Sequence, residues 1–187
     1  MRVWNYMTAD RITALAAAVG VIVTVWSLQS QLASSRFAVS VDLLGKMDER
    51  FNGAAMLKKR TEAATALLKK KDYGMADDVL DFFETIGLMM HRGALDEEMV
   101  WNTFCYWIDG YWRAAQPYIQ SERQGDPVVW TEFEYLEERC LAFEKRKTRG
   151  HNTEEVSLQE FLNYEARLSG DEGVSQLQKR PPRRQKK

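Results

Sequence analysis

A long stretch without charge near the N-terminus constrains this chain more than any other feature. Residues 12–35 contain no Asp, Glu, Lys or Arg, and the segment ITALAAAVGVIVTVWSL within them is almost entirely apolar. A helix over residues 12–32 would be about 31 Å long, close to the hydrocarbon thickness of a bilayer. Trp4 and Tyr6 precede it and Trp26 lies near its other end, as suits interfacial aromatic residues. The pattern predicts a transmembrane helix at residues 12–32, with the lipid bilayer as its partner.

Two alternatives to a retained anchor stay open. A cleaved signal peptide would also be apolar here, but Asp10 lies in the leader, residues 1–11, and SQLASS lacks a small-x-small cleavage site. A buried helix of a soluble domain is the second alternative. If the helix is retained, Ala16, Gly20 and Thr24 form a ridge of small residues along which helices can pair.

The charge distribution separates the body of the chain from its end. The net charge of the 187 residues is −1, and the last nine residues, KRPPRRQKK, carry six positive charges. The polar composition and paired prolines of residues 169–187 predict a basic disordered tail. Residues 179–187 could contact anionic lipid or, less favoured, nucleic acid. Basic residues after the apolar stretch favour a single-pass protein of the cell membrane with a cytoplasmic helical domain.

The remaining sequence has the periodicity of helices throughout. Apolar residues recur at spacings of three and four, and no clean alternation typical of strands is present. Asn52–Gly53 indicates a break, Gly93 a left-handed helix end, and Asp96 an N-cap. The sequence therefore predicts an all-α fold, in which one N-terminal transmembrane helix precedes an antiparallel helical bundle. The bundle occupies residues 36–168, with its first three helices at 37–51, 54–71 and 75–91.

Proline and capping signals set the predicted bounds of the later helices. Pro117 should kink or end the fourth helix near residues 113–116. Asp126 as N-cap and Pro127 at the first helical position predict the start of the fifth helix. SLQE, beginning at Ser157, has the form of a capping box and predicts a last helix to about Leu168.

Glu84 is the strongest candidate for a functional carboxylate. It lies among apolar residues in FFETIGLMM, and burial would raise its pKa, as often happens at active sites. The favoured interpretation is structural, namely an ion pair with Arg113 or Arg139 or a solvent-facing side chain. No second carboxylate or nucleophile is tied to Glu84 by spacing.

Cofactor and metal chemistry has little basis in the sequence. His91 and His151 are the only histidines and do not form a zinc-binding spacing. Nucleotide-binding and hydrolase motifs are absent, and no cofactor is predicted. Cys105 and Cys140 have no CxxC spacing, and both fall on apolar helix faces where a free cysteine behaves as a small hydrophobe.

An aromatic stripe marks the fourth predicted helix. Trp101, Trp107, Tyr111 and Trp112 follow helical spacing, which is typical of a core face and also of partner grooves. Their use in stacking on a ligand or on nucleic-acid bases is a less favoured alternative. The candidate interaction residues are Glu84, Arg92, Trp101, Trp107, Tyr111 and Trp112.

Two segments carry a resemblance to a known family. DVLDFFETIGLMMHRGALDEEMVWNTFCYWIDGYWRAAQPYI at 78–119 is followed by GDPVVWTEFEYLEER at 125–139. Together they resemble a family of uncharacterised bacterial proteins with an N-terminal membrane helix and a helical domain of unknown function. The resemblance covers residues 36–145 and implies the anchored all-α layout. It supplies no activity and no catalytic residues.

These observations predict a single-pass, membrane-anchored helical protein of unknown biochemical activity that serves as a protein-interaction or structural module. A homo-oligomer or another protein is its expected partner. Two alternatives are a binder of anionic lipid or nucleic acid acting through the tail, and a membrane-tethered enzyme that uses Glu84. Enzymatic activity is the less favoured class.

Overall fold

Every element that the structure describes is a helix. The computed structural model of the chain describes residues 3–148 and 157–168, with side chains in the first range described at 14, at 19–31 and from 34 onward. The all-α class is therefore confirmed for the described part of the chain. The elements are α1 Val3–Asn52, α2 Ala54–Lys69, a 3₁₀ helix Tyr73–Ala76, α3 Asp77–His91, α4 Glu97–Glu122, α5 Thr131–Lys147 and α6 Leu158–Glu165.

The chain divides into two compact units, residues 1–39 and residues 40–187. In the described residues, the first unit is the N-terminal part of α1, and the large apolar side chains at residues 19–28 are exposed on it. The second unit contains the last part of α1 and all later helices. The predicted basic tail, residues 169–187, lies outside the described residues.

The predicted transmembrane helix at residues 12–32 is wrong. Across the part of the chain that the structure describes, no helix combines the length and apolarity that crossing a bilayer requires. Polar residues Gln29, Ser30 and Gln31 follow the apolar residues within the same helix, which continues to Asn52. Nothing in the described residues tests the cytoplasmic placement of the helical domain, which stays a prediction.

Local signals place several helix ends correctly. The break at Asn52–Gly53 is confirmed, because α1 ends at Asn52 and α2 begins directly after Gly53. Gly93 has the expected positive φ of 71°, a conformation open to glycine at little cost. The Asp96 side chain accepts a hydrogen bond from the Met99 N–H at 2.9 Å, and this confirms the predicted N-cap.

Two predicted boundaries near proline residues are wrong. α4 does not end before Pro117 but continues to Glu122. α5 begins at Thr131, four residues later than predicted. Asp126 instead accepts a hydrogen bond from the Val128 N–H at 3.2 Å and holds a turn that precedes the helix.

The core of the second unit is built mainly from aromatic rings. Neighbouring rings lie 5.0 to 6.5 Å apart between centroids, within the range of favourable aromatic pairs. α5 packs against α3 and α4, while α6 packs against α2 and α4. The central rings are Phe51, Phe82, Phe83, Phe104, Tyr111 and Phe133.

Candidate functional site

A buried ion pair joins two helices that are far apart in sequence. Arg60 of α2 and Glu165 of α6 are both fully buried. The guanidinium meets the carboxylate with two parallel bonds, Nε to Oε2 and Nη2 to Oε1, each 2.8 Å long. A buried ion pair is stable only when its remaining hydrogen-bonding capacity is also used.

Neighbouring groups supply the remaining hydrogen bonds. The Tyr111 hydroxyl donates to Oε2 of Glu165 at 2.7 Å, and Trp107 Nε1 donates to Oε1 at 3.0 Å. Arg60 Nη1 donates to the carbonyl oxygen of Phe51 at 3.3 Å. The carboxylate therefore accepts four hydrogen bonds from three side chains, which offsets the cost of its burial.

Aromatic faces enclose the cation. The Arg60 guanidinium carbon lies 4.1 Å from the Phe51 ring centroid and 5.4 Å from that of Trp107. The negative faces of such rings stabilise a cation that has lost its water. Burial alone would lower the pKa of Arg60, but its hydrogen bonds and charge contact with Glu165 outweigh this and raise the pKa. Burial and the neighbouring Glu165 raise the pKa of Tyr111, which keeps its hydroxyl proton for donation.

A notch beside the ion pair receives the ring of Phe161. A Cβ atom at Gly110 of α4 would lie 2.4 Å from Phe161 Cε2, so only glycine leaves room for the ring. The Phe161 ring also meets the rings of Tyr106 and Tyr111, at centroid distances of 5.4 and 5.1 Å. We call the surface formed by Arg60, Trp107, Gly110 and Tyr111 the α6 recess.

Glu84 caps a neighbouring helix. Its Oε2 accepts a hydrogen bond from the Phe133 N–H at 2.6 Å, in the first turn of α5. α5 follows Trp130, which has a positive φ of 52° and makes no side-chain cap of its own. Burial raises the pKa of Glu84, and the backbone hydrogen bonds of Phe133 and Glu132 partly offset this effect. The carboxylate is thus engaged in a structural contact at a helix N-terminus.

Gly87 lies one turn beyond Glu84 and allows α3 to approach α5 closely. A Cβ atom there would lie 2.0 Å from the carbonyl oxygen of Glu132. The FFExxG pattern thus places two features at the contact between α3 and α5. Glu84 supplies the carboxylate that caps α5, and Gly87 leaves room for the α5 backbone. The predicted ion pair of Glu84 with Arg113 or Arg139 is not formed, because Arg113 pairs with Asp109 at 3.3 Å and Arg139 pairs with Glu97 at 2.8 Å.

The other candidate interaction residues lie at different places in the bundle. Arg92 is the C-cap residue of α3 and its side chain is exposed. Trp101 is half-buried, with its ring centroid 5.2 Å from that of Phe143. Trp112 is half-buried, and its ring centroid lies 5.2 Å from that of Phe133. Of the six candidates, Trp107 and Tyr111 meet at Glu165, and Glu84 and Trp112 both contact Phe133.

Sequence analysis missed Arg60 and Glu165, although a signal was present. Arg60 lies at a position of α2 where the helical period requires an apolar residue, between Met56 and Ala63. Glu165 lies four residues after Phe161 on the buried face of α6. Two opposite charges on apolar helix faces are candidates for a buried pair, since an unpaired charge there is costly.

A surface groove of about 370 Å³ lies beside Glu84. Asp77 and Asp81 also line it and are engaged, because Asp77 accepts from the Tyr118 hydroxyl at 2.7 Å and Asp81 from Trp130 Nε1 at 2.9 Å. Within the described ranges, no group of three or more His, Cys, Asp or Glu side chains is arranged to hold a metal ion. The groove therefore offers no described metal centre.

A second group of titratable side chains lines a small cavity between α4 and α5. Cys105 and Cys140 both line it and are not joined in a disulfide, and Cys140 is buried as expected. Glu137 and Asp109 share the cavity. Burial raises the pKa of Glu137 to about 7, and the charge of Asp109 adds to this effect.

Glu137 should make stability depend on pH. Because its pKa in the folded chain is raised from 4.5 to about 7, the folded state retains a proton that the unfolded state releases between these values. This contribution to stability is therefore present at low pH and is lost as pH rises through this window. We expect Glu137→Gln to be more stable than the native chain by about 1 to 2 kcal/mol at pH 8, after allowance for solvent screening. Urea unfolding at pH 5 and pH 8 measures the difference.

Glu138, the exposed residue next to Glu137, provides a control for Glu137→Gln. Glu138→Gln removes one negative charge from the same helix at an exposed position; because the Glu138 charge adds less to the raised pKa of Glu137 than burial and Asp109 do, it should reduce the pH dependence much less than Glu137→Gln. Equal pH dependence for Glu137→Gln and the native chain would contradict the assignment.

Comparison with known proteins gives one family match. A family model described as "Domain of unknown function (DUF4760)" matches residues 14–140, about two thirds of the chain. No curated protein and no solved structure shows significant similarity. The predicted resemblance to a family without a known function is confirmed, although the match begins and ends earlier than residues 36–145. The bacterial origin implied by the resemblance stays a prediction.

Proposed function

We propose that this chain, which belongs to the DUF4760 family of domains of unknown function, is a protein-interaction module whose N-terminal unit associates with further copies of itself. The observation that carries the proposal is the exposure of large apolar side chains at residues 19–28. Trp26 is 72% exposed and Ile22 67% exposed. Contiguous exposed apolar surfaces of this kind mark sites of interaction with a partner.

The arrangement of these side chains supports an assembly of several helices. With a rotation of about 100° per residue, Ile22 and Trp26 lie on one side of α1, and Val21, Val25 and Leu28 lie on a second side about 110° around the axis. A single partner helix would cover only one of these sides. Together the two sides form an apolar surface wider than the stripe with which a helix faces one partner, so we expect three or more copies to associate.

Small residues on the same segment favour close helix contact. A Cβ atom at Gly20 would meet nothing within 4 Å, so the backbone there is open to approach. The Thr24 hydroxyl donates to the Gly20 carbonyl oxygen at 2.8 Å and so presents its methyl group without an unpaired polar atom. Burial of each large apolar side chain would contribute about 1.5 to 3 kcal/mol.

Self-association should depend on the exposed apolar pair. We expect the full chain to sediment as an oligomer in analytical ultracentrifugation, and Ile22→Asn/Trp26→Asn to shift it towards monomer because both lie on one side of the helix. Val128→Asn is a matched control, since Val128 is 67% exposed like Ile22 but lies in the second unit. It should leave the oligomer unchanged.

Two outcomes would contradict the proposal. One is a native chain that stays monomeric over a wide concentration range. The other is a chain that floats with liposomes and does not associate in their absence, which would make lipid the partner. Circular dichroism of each variant shows whether the helical bundle is retained.

The alternative functions draw no support from the described residues. Residues 179–187 lie outside them, so binding of anionic lipid or nucleic acid through the tail stays a prediction. The Glu84 carboxylate is bonded to the Phe133 N–H, which favours the structural interpretation over catalysis.

A further inference from the structure

We propose that the α6 recess is a binding site for helices that present an aromatic residue followed four positions later by a carboxylate. In this chain α6 occupies the site as a tethered ligand. The proposal goes beyond self-association through the N-terminal unit, because it uses α2 and α4 and a different ligand chemistry.

The floor of the recess is built to recognise a carboxylate. Donors from three side chains converge on the two oxygens of Glu165, at 2.7 to 3.0 Å. The Arg60 guanidinium supplies the planar fork that matches a carboxylate, and the neighbouring rings exclude water from it. A neutral amide would replace an acceptor oxygen with a donor that faces other donors, so the site discriminates by charge and by hydrogen bonding.

The wall of the recess selects an aromatic ring. Gly110 leaves a notch in α4, and the Phe161 ring fills it so closely that an added Cβ atom would lie 2.4 Å from the ring. Phe161 and Glu165 are four residues apart, which places them on the same face of a helix. Ring and carboxylate together therefore define the helical pattern that the recess accepts.

α6 has the properties of a ligand that can leave. It is eight residues long, and isolated helices shorter than about 12 residues are marginal in water, so its helix depends on docking. The family match covers residues 14–140 and so includes every recess residue but not α6. Within the described residues, Glu165 is the one carboxylate that bonds Arg60.

Peptide exchange tests the proposal on the folded chain. A specific protease site is placed in residues 149–156 of the full chain, and the chain is cut after folding. A fluorescent peptide of residues 157–168 is then titrated while its anisotropy is recorded. We expect saturable binding to the cut chain and weaker binding to the uncut chain, in which tethered α6 competes at high effective concentration.

Peptide variants test the recognition chemistry. The Glu165→Gln and Phe161→Ala peptides should each bind at least about tenfold more weakly. The Glu160→Gln peptide is the matched control, because Glu160 is exposed on the same helix, and it should bind like the native peptide. Absence of peptide binding to the cut chain, or equal binding of the Glu165→Gln peptide, would overturn the proposal.

Hydrogen exchange on the uncut chain gives a second test if the cut chain unfolds. Amides of α6 should exchange faster than those of α3, because α6 opens without unfolding the bundle. Equal protection of the two helices would show that α6 is a permanent part of the bundle and would refute its role as an exchangeable ligand.

Discussion

Replacing Glu165 with alanine should lower the free energy of unfolding by about 3 kcal/mol, as expected when one partner of a buried ion pair is removed. The Arg60 cation would lose its counter-ion in an environment that excludes water. The loss is limited by the free energy with which α6 docks, since α6 can leave and allow Arg60 to hydrate. Urea unfolding followed by circular dichroism measures the change.

An apolar replacement of the whole pair separates charge from packing. Arg60→Met/Glu165→Leu removes both charges and fills similar volume, so it should recover the part of the loss in Glu165→Ala that comes from the unpaired Arg60 charge, but not the part that comes from the Trp107 and Tyr111 donors, which still lack the Glu165 acceptor. Glu160→Ala, at an exposed position of α6, should change stability by less than about 0.5 kcal/mol. A Glu165→Ala variant as stable as this control would contradict the buried ion pair.

Replacing Gly87 with alanine should destabilise the chain by about 3 kcal/mol or more, at the upper end of the range for overpacked sites. The added methyl group would lie 2.0 Å from the Glu132 carbonyl oxygen, so α3 and α5 must separate. That movement would also lengthen the hydrogen bond between Glu84 and the Phe133 N–H, now 2.6 Å. Thermal unfolding of the variant measures the loss.

A second helical glycine is the control for this substitution. A Cβ atom at Gly45 of α1 would meet nothing within 4 Å, so Gly45→Ala should raise stability by up to about 1 kcal/mol through helix propensity. If both variants have the same stability, the close contact of α3 with α5 is refuted.

Helix ends governed by local chemistry are predictable from the sequence. Gly93 and Asp96 act through their own backbone conformation and through a neighbour three residues away. Such signals need no knowledge of the rest of the fold. The same holds for the break at Asn52–Gly53.

Helix ends governed by packing are not predictable in this way. α4 continues past the exposed Pro117 because Tyr118 bonds Asp77 and Ile119 is buried in the core. α5 begins at Thr131 because Glu84, from another helix, satisfies its first turn. In both cases a contact between distant residues outweighs a strong local signal.

The sequence by itself determined the all-α class and the local helix caps, because helical periodicity and capping act within a few residues of the chain. It also showed the uncharged N-terminal stretch, but the transmembrane helix predicted from that stretch is not found among the described residues. Only the tertiary structure paired Arg60 with Glu165, which are 105 positions apart, and placed Trp107 and Tyr111 around them. Such a pairing depends on which helix faces meet, and the faces that meet are chosen by the packing of the whole core.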